Sequence, residues 1–303
     1  MKNNKQTMIF VAAVFIFIGQ LSTTAANEYI LDDAERFSTL FSITSLPTEK
    51  QIKAEYLTLG SKGIDIFTPH RIQNEKKLAL AISANPQAYK KGLEICLPAA
   101  RNITSEAKQV LKRVQELLAQ KHSAPTFILF GADNSGGTAT SEGFSLGLEV
   151  ICRLPETEEE AEEEILGFIA HEIVHVYQSR NINVQTKNVT LLRQALIEGF
   201  ADFVANIVLG KITQAENERH HYGLKNEALI WSEFKDVMLG SELKSWLYGP
   251  GIKGRPNDLG YWLGKRIVKA YYEKSDNKKQ ALKKLLSLDD PEFILRASAY
   301  DPK

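Results

Sequence analysis

One stretch of this chain has its polar groups where a helix can least accommodate them, and it constrains the fold most. From Thr157 the sequence reads as a helix. Thr157 and Glu160 form a capping-box pattern, and the acids at 158–160 and 162–164 sit near the positive end of the helix dipole. Its continuation, through Ile165, Phe168, Ile169, Ile173, Val174 and Val176, is apolar nearly all round. Such a helix belongs in the centre of a protein. Yet His171, Glu172 and His175 lie in the middle of it. Two imidazoles and a carboxylate are costly in an apolar interior unless something satisfies them. His171 and His175 are four residues apart, which puts both rings on one helix face, about 40° apart and one turn up. That spacing lets two ring nitrogens reach one ion at about 2.0–2.1 Å. Glu172 points about 100° round from His171, beside such an ion, where a carboxylate can take a proton from a water.

A second helix, expected over 189–209 and ended by Gly210, carries the complement. From Ala195 to Leu209 its polar residues are Glu198, Asp202 and Asn206, which recur at i, i+4 and i+8 and share one face. A catalytic zinc takes three protein ligands and keeps one position open. Glu198 supplies the third donor. Asp202, one turn on, can accept the outer N–H of a ligating histidine and fix its tautomer. The pattern points to Zn2+ held by His171, His175 and Glu198, with Glu172 as general base.

The rest of the chain reads as α+β and mostly helical. Helices are expected over 30–43, 48–59, 65–83, 86–95 and 104–121, which make an N-terminal helical region, 27–122. Residues 123–303 form the catalytic region, in one compact unit with it, with further helices at 225–239, 257–274, 277–287 and 291–299. Thr126–Gly131 is a short apolar strand bounded by breakers, and Ala132–Gly143 is a turn-rich loop. Phe144, Leu146, Leu148, Val150 and Cys152 alternate strictly, as in a half-buried strand. These two strands are expected to pair as a small antiparallel sheet before the active-site helix.

Lys+Arg and Asp+Glu balance at 37 each, so no basic field exists to hold a nucleic-acid backbone. Lys2 and Lys5, the uncharged run Met8–Ile18 and the small residues Thr24-Ala25-Ala26 have the layout of a signal peptide over 1–26. With no cysteine near the cleavage site, the expectation is a non-lipidated secreted or periplasmic protein with no membrane span once the signal is removed. Cys96 and Cys152 either pair in an oxidising compartment or stay as buried thiols.

H-E-x-x-H followed by E-x-x-x-D on a second helix resembles the ligand scheme of the gluzincin metallopeptidases. Phe130-Gly131 through Gly136-Gly137-Thr138, Gly143 to Glu149, HEIVHVYQ, LIEGFADFVA, and Arg255-Pro256 with Gly260-Tyr261-Trp262-Leu263-Gly264 extend the likeness. Together they resemble the predicted zinc proteases of the DUF2268 family and their gliding-motility lipoprotein relatives, from which this chain departs in lacking a lipidation cysteine. The resemblance covers about residues 50–275. It implies a zincin-like core that hydrolyses a peptide or protein substrate, with the Phe144–Cys152 strand or its partner edging the cleft. It also implies Tyr261 as hydrogen-bond donor to the oxyanion, with His220, His221, Tyr222 and Tyr248 as alternatives. A zinc-binding binding or assembly factor with little turnover is the other class of function. The intact Glu172 argues against it, because a purely structural site is closed by four protein ligands and needs no base. Hydrolysis of a non-peptide amide or ester fits the motif equally, since water activation does not encode substrate shape.

Overall fold

The computed structural model describes residues 28–182, 189–249 and 251–303. The segment expected to be a signal peptide, 1–26, lies outside the described residues. Among those residues the chain is mostly helical, with one four-stranded sheet. No helix among them is long and apolar enough to cross a membrane.

The strands are β1 (Tyr29–Ile30), β2 (Thr126–Leu129), β3 (Gly137–Thr140) and β4 (Gly143–Gly147), in the spatial order β1-β2-β4-β3. The sheet is mixed, which corrects the expected antiparallel pair. β2 and β4 run parallel, with Thr126 opposite Phe144, and β1 is parallel to β2. Antiparallel pairing occurs between β3 and β4 alone. The reason lies in the Gly-rich connection, which was expected to be a loop. It contributes β3, and the chain then folds back so that β4 inserts between β2 and β3.

The alternating segment also ends sooner than expected, because Leu148–Ile151 forms a helical turn. All five residues of β4 are buried, so both faces are covered. Large side chains (Phe144, Leu146) alternate with small ones (Ser145, Gly147), and Ser145 Oγ donates to the Gly63 carbonyl at 2.9 Å. Period two here reports large against small rather than dry against wet.

The motif helix spans Glu158–Asn181. Thr157 caps it by accepting from Glu160 N, while the Glu160 carboxylate accepts from Glu156 N at 2.7 Å, one residue before the position a capping box would use. The ligand helix spans Leu191–Leu209, capped by Thr190 and ended by Gly210 at φ 74°, a left-handed conformation that suits glycine. Gln214–Val237 is one long helix kinked at Asn226, of which the sequence pattern marked the second half. Leu259–Lys274 lies against the ligand helix with backbones almost touching. A Cβ on Gly264 would sit 1.7 Å from the Ala195 carbonyl oxygen, and one on Gly199 would sit 2.1 Å from the Lys265 nitrogen. The helix of Thr104–Leu117 packs on the motif helix through Ala107, Val110, Leu111 and Val114.

The N-terminal helices pack on the sheet in one continuous core with the motif helix and its neighbours. Phe37 stacks on Phe130 with centroids 4.5 Å apart. Tyr56 Oη donates to the Phe130 carbonyl at 2.7 Å and accepts from its N–H at 3.0 Å, and Tyr89 Oη donates to the Gly131 carbonyl at 2.9 Å. Cys96 and Cys152 form a disulfide with Cα atoms 5.9 Å apart. The expected 65–83 helix is interrupted: Thr68–Ile72 forms a π-helical turn that ends at Gln73, and Asn74 caps a new helix from Glu75.

Glu149 anchors the start of the Gly-rich segment. Its carboxylate is fully buried and accepts the Gly131 N–H at 2.9 Å and the Asp133 N–H at 3.2 Å. Burial pushes the carboxyl up from 4.5 to about 7, against the pull of those N–H groups. The folded state therefore holds this proton more tightly than the unfolded chain does. The stability it contributes is complete below about pH 4.5 and is lost as the pH rises through about 7. Urea unfolding is expected to show a smaller loss of stability over this window in Glu149→Gln than in the parent chain. Identical pH profiles would contradict the assignment.

Candidate metal centre

Where the motif helix meets the ligand helix, three donor atoms converge. The Nε2 atoms of His171 and His175 are 2.9 Å apart. Glu198 Oε2 lies 3.1 Å from His175 Nε2 and 3.3 Å from His171 Nε2. These residues form a group able to hold a metal ion, with donor atoms all within 4.8 Å of one another. Ligands at about 2.0–2.1 Å from a tetrahedral zinc stand about 3.3 Å from each other. The observed triangle is close to one face of that tetrahedron, and two imidazole nitrogens with one carboxylate oxygen are a donor set of catalytic zinc. The residues present fit the ion.

Each histidine is held from behind. His171 Nδ1 lies 2.8 Å from Asp202 Oδ1, and Asp202 Oδ2 accepts from Arg219 at 3.2 Å. His175 Nδ1 lies 2.6 Å from Gln178 Oε1, while Gln178 Nε2 donates to the Ile197 carbonyl at 3.0 Å. With an acceptor facing each Nδ1, the neutral rings carry their proton there and leave the Nε2 lone pairs facing the triangle. Gln178 and Arg219 were not singled out in the sequence. Gln178 was within reach of sequence reasoning, as a polar residue at i+3 from His175 on an apolar helix. Nothing around Arg219 marks it.

The cluster is built to hold positive charge. Burial works against protonation of His171, but the carboxylates of Asp202 and Glu198 outweigh it and hold its pKa well above the ordinary value. His175 is raised in the same way, burial being outweighed by Glu198. Burial opposes ionisation of Glu198, yet His175 and His171 hold it well below the usual carboxylate range. Asp202 is drawn down to about 2, its burial overcome by Arg219 and His171. Glu172 moves the other way. Burial raises it, and the nearby His175 and His171 only partly oppose the rise.

Glu172 sits against β3. A Cβ on Gly137 would lie 2.3 Å from its Oε1, so a glycine is what lets the strand backbone approach the carboxylate. The strand that borders the cleft is β3, through Gly137, Thr138 and Ala139, and it is an edge strand; the expected pair, Thr126–Gly131 and Phe144–Cys152, supplies the interior strands β2 and β4 instead. The cleft has a volume of about 700 Å³ and contains His171, Glu172, His175 and Glu198.

Tyr261 and Tyr248 both line this cleft. The Tyr261 ring is stacked on His171 with centroids 6.1 Å apart, and the Arg219 guanidinium lies 5.2 Å from its centroid. Tyr248 donates its hydroxyl to Glu198 Oε1. Its backbone is in the left-handed region at φ 60°, and its N–H donates to Asp258 Oδ1 at 2.8 Å. His220, His221 and Tyr222 do not line the cleft. His221 Nδ1 faces the Asn217 carbonyl at 2.8 Å, His220 Nδ1 is buried without a partner, and Tyr222 packs on the core.

No curated protein and no solved structure matches the chain. Residues 103–294 match a family described as predicted Zn-dependent proteases, and this stretch holds the motif helix, the ligand helix, the edge strand and both cleft tyrosines. The chain belongs to this family, DUF2268.

Proposed function

We propose that the chain is a zinc-dependent metallopeptidase of the gluzincin type, with a zincin-like catalytic core. The observation that carries this reading is the convergence of His171, His175 and Glu198 on one point, with the buried Glu172 carboxylate beside them in a cleft bordered by an edge strand. His171, His175 and Glu198 would hold the zinc, and Asp202 and Gln178 would orient the two rings. When bound, the ion supplies Lewis acidity toward a water and a peptide carbonyl.

Glu172 takes the proton of the attacking water and delivers it to the leaving nitrogen. β3 offers its outer backbone groups to an extended peptide, which adds to the sheet as a further strand. Tyr261, beside His171, donates its hydroxyl to the developing oxyanion. Tyr248 occupies one oxygen of Glu198 and leaves the other facing the histidines. The disulfide supports the expectation of export, since such bonds persist in oxidising compartments.

Zinc content separates the ligands from their neighbours. The purified chain is expected to carry about one zinc, and His175→Ala to lose it while remaining folded. Elemental analysis that finds full occupancy in this variant would remove His175 from the site. Turnover separates the base from the ligands. Glu172→Gln keeps the side-chain length and removes the basicity, so it is expected to retain zinc and lose about 10²–10⁴-fold in the rate of peptide cleavage. Cleavage of an unbiased peptide library that persists within about threefold of the parent rate would exclude Glu172 as the base.

A further inference from the structure

Among the described residues three arginines line the cleft: Arg71, Arg153 and Arg219. Two of them are already neutralised by carboxylates. Arg153 meets Asp133 at 2.7 Å, and Arg219 meets Asp202 at 3.2 Å. Arg71 is held differently. Its Nε donates to Thr138 Oγ1 on β3 at 3.0 Å, and its two terminal nitrogens have no partner among the described residues.

The backbone that presents Arg71 departs from an α-helix. It lies in the π-helical turn Thr68–Ile72, which ends at Gln73 with φ 64°. A non-glycine residue held in this sparsely populated conformation is strained. Asn134 donates to the Arg71 carbonyl at 3.0 Å and ties the turn to the Gly-rich segment. The side chain is half-buried, and its charge reaches Glu172, where it works against the rise caused by burial. A guanidinium fixed through Nε keeps its terminal N–H groups as a preformed fork, the geometry that binds a carboxylate through two parallel hydrogen bonds.

We propose that Arg71 is a specificity-determining subsite for a substrate carboxylate near the scissile bond. The proposal rests on the peptidase reading above and names the class of peptide that this cleft takes. The carboxylate is that of an acidic side chain or of a free C-terminus, since both present the same pair of oxygens.

The test uses the full zinc-loaded chain and three matched sets of fluorescent peptides. One set carries internal Asp or Glu and an amidated C-terminus, one has no acidic side chain but a free C-terminus, and one has neither. At least one carboxylate set is expected to exceed the neutral set by about tenfold in kcat/KM. In Arg71→Gln that ratio should fall to about two or less, with zinc content retained, and Arg71→Lys should recover part of it because the charge remains without the fork. The set that carries the preference identifies the source of the carboxylate. Equal kcat/KM on all three sets in the parent chain overturns the proposal, as does a loss in Arg71→Gln that leaves the ratio intact. Should Arg71→Gln fail to fold, Thr138→Val, which removes the Nε anchor, must lower the ratio for the proposal to stand. If no peptide is cleaved, the peptidase reading is what fails. Equilibrium binding of the same peptides then decides this subsite: carboxylate-selective binding that Arg71→Gln abolishes upholds it, and unselective or absent binding overturns it.

Discussion

Holding two imidazoles and two carboxylates together in a largely buried cluster is the constraint on which the rest of this structure depends. His171, His175, Glu172 and Glu198 stand where the apolar middle stretches of two helices meet. Removing one partner from such a buried set leaves an uncompensated charge, which typically costs about 3–5 kcal/mol. The helices therefore have to keep their register, and the backbone contact at Gly199 and Gly264 serves that end. Glu198 directly precedes Gly199, so the residue that lets the Leu259–Lys274 helix come close also sets the height of the carboxylate. Asp202 lies one turn further and joins the cluster to Arg219 on the next helix. Below it, Lys265 pairs with Glu216 and Asn206 in a second buried polar group, so the polar stripe of the ligand helix is satisfied along its length.

The other wall of the cleft is positioned from the N-terminal half. Tyr56, Tyr89 and Glu149 each bond the backbone at Phe130–Asp133. That anchored stretch leads into the Gly-rich segment and β3, and so fixes Gly137 against Glu172. The helices of residues 32–102 thus shape the cleft without contributing a donor to the His–His–Glu triangle. Their one direct presence in the cleft is Arg71, presented by a strained turn and anchored to the same strand.

Much of this was legible in the sequence, and the parts that were not have physical reasons. The helices around His171 and Glu198 were readable because polar residues in long apolar helices need a partner, and spacing states which face they share. The strand order was not readable. β4 is covered on both faces, and alternation of Phe144 and Leu146 with Ser145 and Gly147 looks the same as a strand with one wet face. Nor does any period announce β3, whose residues Gly137–Thr140 are chosen for close approach to Glu172 rather than for burial. The resemblance ranked Tyr261 ahead of Tyr248, but no pattern of the residues themselves did, because their difference is which cluster atom each one touches. Arg71 and Arg219 gave no signal at all, since the meaning of each lies in whether a distant carboxylate meets it.

The central claim is that His171, His175 and Glu198 are the protein ligands of one zinc ion. Zinc K-edge X-ray absorption on the loaded chain tests it most directly. The account predicts a first shell of nitrogen and oxygen at about 2.0–2.1 Å, with outer-shell scattering from two imidazoles and no sulfur. A sulfur shell at about 2.3 Å, or an imidazole count other than two, would contradict it.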